Sequence, residues 1–404
     1  MQMYDGLPII TNKITVEEQN GIPHHLLGFI SLDENPWWVG LFKKKASQII
    51  REIRSRGRLP IVVGGTHYYT QALLFGDSLV SEDNSDNDKM EMSSQDLSRK
   101  FPILDGPTEV ILERLKEVDP VMAERWHPND VRKIRRSLEI YLTTGKKASD
   151  IYKQQKEKAL LQDPAQISWG GSTLLFWIHS DPDRLKTRLN ERVDKMVAGG
   201  LLDEVKSMDK FLERQSSSGL EVDKTRGIWA SIGYKEFENY LSSLKNDPEN
   251  LQELKRLYDD SLERTKIATR QYAKRQIRWI RLKLIPTLAK QNILERLYLL
   301  NGTNMSEWHN TVSKPALEIA TNFLVGDELP APSSLSPAAQ EFLDPEQFVE
   351  KPSVKPDFHR ECETCNVTVV IEEQWGRHLR SRAHRTKVKK IERVAKCSRY
   401  QAAG

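Results

Sequence analysis

Four potential metal ligands lie close together near the end of the chain. Cys362 and Cys365 are separated by two residues, twelve residues follow, and His378 and His384 are separated by five. Thiolate and imidazole groups at this spacing are the ligands with which small domains hold Zn²⁺ in tetrahedral coordination. Because so small a unit buries little apolar surface, metal binding would supply its folding free energy. The spacing therefore predicts a structural zinc finger with both histidines on one helix.

The predicted finger helix and the residues after it are strongly basic. Their seven cations are Arg377, Arg380, Arg382, Arg385, Lys387, Lys389 and Lys390. Such a helix is typical of phosphate contact with nucleic acid, and a solvated charged helix is the alternative interpretation. The long gap between the histidines resembles that of fingers in RNA-associated proteins. Cys397 lies outside the ligand spacing and is predicted to be a free thiol.

A second concentration of positive charge lies in segment 264–283. This segment has eight lysine and arginine residues and no acidic residue. Four of them recur at every fourth position, on one face of a helix, namely Lys266, Arg270, Lys274 and Arg278. Repulsion between like charges at this spacing favours an anion beside them, so the pattern predicts a groove for a polyanion. A solvated face with distant acidic partners is the alternative.

Two apolar runs predict the strands that would support these residues. Residues 58–66 predict a short buried strand that ends in a glycine turn, and residues 174–178 predict a second strand. Asp181 then provides a helix N-cap, and Pro182 occupies the first helical position. Strands followed by helices indicate an α/β core with a parallel sheet.

The remaining segments predict how the chain is divided. Apolar residues such as Ile134 and Leu138 recur at helical spacing between 108 and 158, and the polar segment 81–96 predicts a loop. We expect a first part of the core at 1–80, a helical insertion at 81–165, a second part of the core with the basic helix at 166–310, a linker at 311–357 and the zinc finger at 358–397.

Composition narrows the expected compartment and partners. The 404 residues are enough for two or three domains, and the net charge is only +4. No stretch approaches the apolar length that a membrane span needs. Two of the three cysteines belong to one short motif, which favours a reducing compartment. We expect a monomer without membrane contact in the cytoplasm, the nucleus or the mitochondrion.

Four strings that occur in order resemble one enzyme family. They are VVGGTHYY at 62–69, HPND at 127–130, SIGYKEF at 231–237 and TRQYAKRQ at 269–276. Together they are similar to strings of the tRNA dimethylallyltransferases, and the resemblance covers residues 1–285. The finger resembles the C-terminal extension of eukaryotic members, notably the fungal ones.

The resemblance implies a reaction, a fold and partners. Members transfer a dimethylallyl group from dimethylallyl diphosphate to N6 of adenosine 37 in the tRNA anticodon stem-loop. The implied core is a P-loop NTPase-like parallel sheet with a helical insertion. A stacked loop base must be flipped out to be modified. Departure of the diphosphate needs cations that neutralise its growing charge, and the family supplies Mg²⁺ for this purpose.

The resemblance also implies roles for individual residues. Thr66 matches the threonine that closes the reaction channel on the tRNA side, and Arg192 matches the arginine near the diphosphate and the acceptor adenosine. Gln2 matches the residue that reads that adenosine. The cations expected to contact tRNA or diphosphate are Arg132, Lys133, Arg135, Arg136, Arg270, Lys274, Arg275 and Arg278. Taken alone, Arg192 is a surface helix residue, and segment 132–136 is a solvated helix start capped by Asp130.

One family feature does not occur among these residues. The family has a glycine-rich phosphate loop, followed by an Asp-Ser pair whose aspartate is the proposed general base, and both would precede Gln2. Three explanations stay open: a coding start further upstream, a fragment of a longer protein, or a short form that binds tRNA without catalysis. We therefore expect the chain as written to lack transferase activity. A non-catalytic zinc-finger protein that binds RNA is the alternative function.

Overall fold

The chain forms two compact units. Its structure is a computed structural model that describes residues 1–34, 36–75, 97, 99–161, 173–219, 222–224, 226–344, 360–365, 367–369, 372–382 and 384–388. The first unit comprises Met1–Leu79 with Asp163–Val349, and the second comprises Val80–Gln162 with Glu350–Gly404. Within the described ranges no helix combines the length and apolar character that crossing a membrane requires.

Helices dominate the described part of the chain. They are α1 (Val39–Ser55), α2 (His67–Leu74), α3 (Thr108–Val118), α4 (Pro120–Arg125), α5 (Val131–Thr144), α6 (Ala148–Leu161), α7 (Pro182–Ala198), α8 (Leu201–Ser217), α9 (Tyr234–Asn246), α10 (Leu251–Trp279), α11 (Ile285–Lys290), α12 (Lys314–Val325), α13 (Pro337–Leu343) and α14 (Glu372–Arg380). The strands are β1 (Leu175–His179), β2 (Leu297–Asn301), β3 (Arg360–Cys362) and β4 (Val367–Val369). A π-helical turn, Ile280–Leu284, continues α10 into α11.

A parallel sheet lies in the first unit. Strands β1 and β2 pair in parallel, with Leu175 opposite Leu297. All of β2 except its last residue is buried, as expected for a strand of a parallel sheet that is covered on both faces. Trp177 of β1 packs with Ile280 and Leu284 at the end of the long helix. The predicted α/β class with a parallel sheet is confirmed for this unit.

A second apolar core holds the beginning of the chain against α8 and α9. Tyr234 of α9 and Met208 of α8 are fully buried in it, together with Ile30. The carboxylate of Glu204 in α8 also accepts the backbone N–H of Ile10 at 2.7 Å. These contacts fix residues 2–30 to the same unit as the sheet.

Helix α7 begins as the sequence predicts. The carboxylate of Asp181 accepts the backbone N–H groups of Asp183 and Arg184 at 2.9 and 3.2 Å, and Pro182 is the first helical residue. Asp130 likewise occupies the N-cap position of α5, but its side chain makes no capping hydrogen bond. Its carboxylate pairs instead with Lys133 at 2.5 Å, because the cation one turn later competes with the backbone amides.

The strand predicted at 58–66 does not form. The segment has no helix or strand assignment, and Ile61, Val62 and Val63 are 76%, 51% and 91% exposed. An apolar run is buried as a strand only where neighbouring strands accept its backbone hydrogen bonds. No described strand pairs with this segment, so the prediction of a buried strand was wrong for the structure as it stands.

Much of the predicted linker at 311–357 is folded. Helices α12 and α13 lie within it, and Ala339 and Leu343 of α13 are buried in the core that covers the sheet. The hydroxyl of Ser336 accepts the backbone N–H of Ala339 at 3.1 Å and caps α13. Proline at the first helical position marks a helix start as readily as a linker, which explains the difference. Residues 345–357 lie outside the described ranges.

The insertion in the second unit is helical, as predicted. Helices α3 to α6 enclose a core that includes Ile111, Leu115, Ile134 and Leu138, which are at most 2% exposed. The indole nitrogen of Trp126 donates a hydrogen bond to Ser137, which is itself buried. The loop predicted at 81–96 falls outside the described residues.

Candidate functional site

Thr66 lies against the long basic helix α10. Its hydroxyl shares a hydrogen bond of 2.7 Å with the hydroxyl of Tyr272. One helical turn later, Oε1 of Gln276 accepts the backbone N–H of His67 at 2.9 Å. Burial lowers the pKa of His67, which keeps its imidazole neutral at neutral pH. The turn that precedes α2 is thereby fixed to one face of α10.

The first half of the predicted cationic stripe is neutralised inside the protein. Lys266 forms an ion pair with Asp194 of α7 at 2.6 Å. Arg270 donates to Asn190 Oδ1 at 2.6 Å and pairs with Glu263 at 3.2 Å. The prediction of an uncompensated stripe was therefore wrong for these two residues, because α7 supplies Asp194 and Asn190 across the helix packing and α10 itself supplies Glu263. Distant acidic partners were the stated alternative.

The second half of the stripe faces solvent. Lys274, Arg275 and Arg278 are exposed, and none of them has an ion pair or a side-chain hydrogen bond within the described residues. Their neighbour Ile277 packs toward the core beside the sheet. This end of α10 therefore presents three uncompensated cations on a helix whose opposite side is anchored. Such a surface suits a phosphate backbone.

Arg192 lies on α7, between the two residues that hold α10. Asn190 and Asp194, two positions before and after it, lie on another face of that helix and bind Arg270 and Lys266. Arg192 itself has no ion pair or side-chain hydrogen bond in the part of the chain that the structure describes. Surrounding protein atoms partly dehydrate its guanidinium, which lowers its pKa without discharging it. Arg192 thus keeps a positive charge available for an anion.

Gln2, the residue matched to adenosine recognition, is on the surface of the first unit. Its side-chain amide donates to the backbone carbonyl of Asn12 at 2.7 Å. This bond uses only the amide nitrogen, and the residue is exposed. The group is therefore accessible, and its predicted role stays a prediction.

Segment 132–136 at the start of α5 is largely engaged within the second unit. Besides its pair with Asp130, the Lys133 ammonium lies 4.9 Å from the centre of the Trp126 ring. Arg135 pairs with Asp105 at 3.0 Å, and Arg136 with Glu139 at 2.5 Å. Arg132 is exposed and has no such pair among the described residues. Exposed pairs of this kind are weak and can be exchanged for a phosphate, so the segment remains a candidate for tRNA contact.

The four predicted metal ligands converge in the second unit. A hairpin of β3 and β4 pairs Cys362 with Val367 and carries the first cysteine, which is 5% exposed. The ligand atoms of Cys362, Cys365, His378 and His384 all lie within 4.8 Å of one another. Nδ1 of His384 is 3.5 Å from the sulfur of Cys362 and 3.3 Å from that of Cys365.

One detail of the predicted finger differs. Helix α14 ends at Arg380, and His384 follows a bend at Ser381, whose hydroxyl accepts the His384 backbone N–H at 3.1 Å. The two histidines are therefore not on one continuous helix. Their rings still meet, with 4.8 Å between centroids. The five-residue gap is longer than one helical turn, so the break brings the second histidine back to the first.

The converging side chains fit a tetrahedral metal ion. Bond lengths of about 2.3 Å to sulfur and about 2.0 Å to nitrogen place such ligand atoms roughly 3.3–3.8 Å apart. Nε2 of His378 is buried and has no hydrogen-bond partner among the described atoms. Because a buried nitrogen without a partner is costly, a metal ion bound there would satisfy it. The chain thus contains a Cys2His2 group that can hold a metal.

These features match one family of known proteins. The sequence matches the IPP transferase family over residues 2–283. The chain belongs to the IPP transferase family. The tRNA dimethylallyltransferase of Schizosaccharomyces pombe is 39% identical over 419 residues, which cover 100% of this chain and 91% of that protein. The enzymes of Saccharomyces cerevisiae and Homo sapiens are 34% and 32% identical, covering 99% and 98% of this chain and 87% and 80% of their own lengths.

The fold agrees with this membership. A solved eukaryotic dimethylallyltransferase acting on tRNA superposes with a TM-score of 0.74 and 31% identity, and the match covers 99% of this chain and 91% of that one. The resemblance inferred from the four strings is therefore confirmed. The alignments with the two fungal relatives continue beyond residue 283 and cover 100% and 99% of this chain. The similarity therefore includes the segment that carries the Cys2His2 group.

Sequence reasoning missed Tyr272 and Gln276 as partners of the Thr66 turn. Both lie in the TRQYAKRQ string, which was interpreted only through its cations. The two residues are four positions apart, so they place polar groups on the same face of the helix. This spacing could have predicted that they bind a common partner. What lies across from that face could not be found in this way, because Thr66 is 206 residues away in sequence.

Proposed function

We propose that this chain transfers a dimethylallyl group from dimethylallyl diphosphate to N6 of adenosine 37 in tRNA. The observation that carries the proposal is 39% identity to a named tRNA dimethylallyltransferase over the whole of this chain. Full-length similarity to such enzymes favours a transferase over a non-catalytic RNA-binding protein. We expected the chain to be inactive because the family's phosphate loop does not occur among these residues. That expectation is therefore not retained.

The reaction replaces one bond at the dimethylallyl C1 atom by another. The bond from C1 to the diphosphate oxygen breaks and its electron pair leaves with the diphosphate, the bond from C1 to N6 forms, and the N6 proton passes to water. Arg192 contributes an unpaired cation that would stabilise the negative charge growing on the diphosphate. Thr66, fixed to α10 by Tyr272, would present its hydroxyl beside the acceptor. Mg²⁺ bound to the diphosphate would further neutralise it.

A direct assay tests this function. Purified protein is incubated with dimethylallyl diphosphate and an unmodified tRNA transcript with adenosine at position 37, and nuclease digestion with mass spectrometry locates the product. We expect one dimethylallyl unit on that adenosine and none on a transcript with guanosine there. Binding of tRNA without any transfer would instead support the non-catalytic alternative.

The exposed end of α10 is proposed to hold the tRNA backbone. We expect simultaneous replacement of Lys274, Arg275 and Arg278 by alanine to weaken tRNA binding at low salt. Each lost phosphate contact should reduce the slope of log K against log salt by about 0.7–0.9. The combined variant should therefore lose about two units of slope in a salt titration of binding.

A matched variant separates specific contact from a change in net charge. Lys206, Lys210 and Arg214 are three cations on one face of another helix, α8, in the same unit. Replacing these three by alanine removes an equal charge and should leave the salt slope nearly unchanged. Equal losses of slope in the two triple variants would contradict a dedicated groove on α10.

The Cys2His2 group is proposed to hold Zn²⁺ as a structural ion. Two thiolates and two imidazoles suit zinc, and the unit around them is too small to fold on apolar burial alone. Nearby exposed cations, Arg380, Arg382, Arg385 and Lys387, would contact tRNA phosphates. The side chain of Arg377 and residues Lys389, Lys390 and Cys397 lie outside the part that the structure describes. In this proposal the finger provides an additional tRNA-binding surface.

A further inference from the structure

Aromatic side chains meet where α1, α2 and α10 pack together. The Tyr68 ring contacts the Trp279 ring edge to face, with 6.0 Å between centroids, and the Tyr69 ring at 5.9 Å. Tyr69 in turn contacts Phe42 of α1 at 5.1 Å. The indole nitrogen of Trp279 donates to Gln71 Oε1 at 2.7 Å, which anchors the tryptophan. The orientation of the Tyr68 ring is therefore fixed by two neighbours.

The Tyr68 side chain is nevertheless at the surface, since the residue is 46% exposed. An aromatic ring that contributes only to the core would be covered, whereas this one is held rigidly and still presents apolar surface to solvent. Edge-to-face contacts leave part of each ring available for stacking by a further planar group.

The surroundings of this ring are positive. Segment 39–51 of α1 contains four lysine and arginine residues and no acidic one. Segment 274–283, at the end of α10 and in the turn after it, contains five and again no acidic one. Arg275 lies one helical turn before Trp279, and Arg278 is adjacent to it. An anionic partner is therefore favoured over an apolar peptide or a second copy of this basic surface.

We propose that Tyr68 is a stacking platform for an unpaired base of the bound RNA, with Trp279 holding its ring in place. Proteins bind single-stranded nucleic acid by combining aromatic rings that stack on bases with cations that hold the phosphates. Loop bases that are not paired can be splayed out and stacked in this way, whereas paired bases cannot. The inference rests on the proposed function, since the unpaired base belongs to the tRNA loop.

Binding to two RNAs tests the platform. The Tyr68→Ala variant should bind an anticodon stem-loop RNA about 5- to 150-fold more weakly than the unchanged protein, which corresponds to the loss of one stacked base. It should bind a fully paired RNA of equal length as before. Tyr68→Phe, which keeps the ring, should retain stem-loop affinity. Equal affinities of Tyr68→Ala and the unchanged protein for the stem-loop, or equal weakening for both RNAs, would overturn the proposal.

A matched control and a second variant exclude trivial causes. Leu317→Ala removes a 69% exposed apolar side chain on α12 in the same unit and should leave both affinities unchanged. Tyr68→Leu keeps apolar bulk without an aromatic face, so it should lose stem-loop affinity while its melting temperature stays near that of the unchanged protein. Retention of stem-loop affinity by Tyr68→Leu would show that apolar bulk, not stacking, is responsible, and would overturn the platform.

A spectroscopic readout reports stacking directly. The fluorescence of 2-aminopurine placed at single loop positions should be quenched at one of them by the unchanged protein and by Tyr68→Phe, but not by Tyr68→Ala. Quenching at that position that persists in Tyr68→Ala would overturn the proposal. If the unchanged protein binds no tRNA, the proposed function fails. If the unchanged protein transfers the dimethylallyl group and the Tyr68 variants bind the stem-loop RNA as tightly as it does, the proposed function stands and the stacking platform fails.

Discussion

Replacing Arg192 by alanine should lower kcat/KM for dimethylallyl transfer by about 100- to 1,000-fold, the usual effect of removing one group that stabilises developing charge. Asn190 and Asp194 on the same helix are occupied by α10, whereas Arg192 has no partner among the described residues. Partial desolvation lowers the pKa of its guanidinium without removing the charge, and the residue is exposed to an approaching anion. Steady-state kinetics with varied dimethylallyl diphosphate at saturating tRNA measure the effect.

Two further variants sharpen this test. Arg192→Lys keeps the charge but loses the planar fork that binds two oxygens at once, so its activity should lie between those of the unchanged protein and Arg192→Ala. Arg184→Ala removes an exposed arginine two turns earlier on α7 and should have unchanged kinetics. If Arg192→Ala and Arg184→Ala had equal kcat/KM, Arg192 would have no special role in the reaction.

Removing the metal should unfold the finger and leave the rest of the chain folded. Structural Zn²⁺ in small fingers contributes an apparent binding free energy of about 10–16 kcal/mol, which is also their folding free energy. We expect one Zn²⁺ per chain. Chelation, or the His378→Ala substitution, should expose the thiols of Cys362 and Cys365 to modification and weaken tRNA binding.

Metal analysis and thiol reactivity check this expectation. Cys397→Ser, outside the ligand set, should retain the full zinc content and protected ligand thiols. The thermal transition of the first unit, followed by far-ultraviolet circular dichroism, should be the same with and without metal, because its apolar cores are built from other residues. Thiols that stay protected after complete chelation would show that the finger folds without the ion.

Several elements could be predicted because their signals are local. The cap of α7 by Asp181, the helical faces of the insertion and the ligand set of the finger each depend on residues a few positions apart. Local geometry and sequence spacing determine such features together. The family could be inferred for a related reason, since four short strings occurred in the expected order and the full-length comparisons confirm them.

Other predictions failed where a distant neighbour decides the outcome. Residues 61–63 have the composition of a buried strand, but burial also needs a strand beside them, and the described part of the sheet provides none. The segment around α13 has the composition of a linker, yet Leu343 packs on the sheet because a complementary apolar surface lies there. The composition of a segment is compatible with several structures, and contacts with the rest of the protein determine which of them forms.

By itself, the sequence determined the Cys2His2 group that can hold a metal, the helical character of segment 108–158, the parallel-sheet class and the family. Only the tertiary structure decided which cations of α10 are available. Lys266 and Arg270 are held by α7, whereas Lys274, Arg275 and Arg278 face solvent. It also decided that Thr66 meets Tyr272, across 206 residues. The physical reason is that charge compensation and hydrogen bonding act through space, so their partners are fixed when the helices pack together.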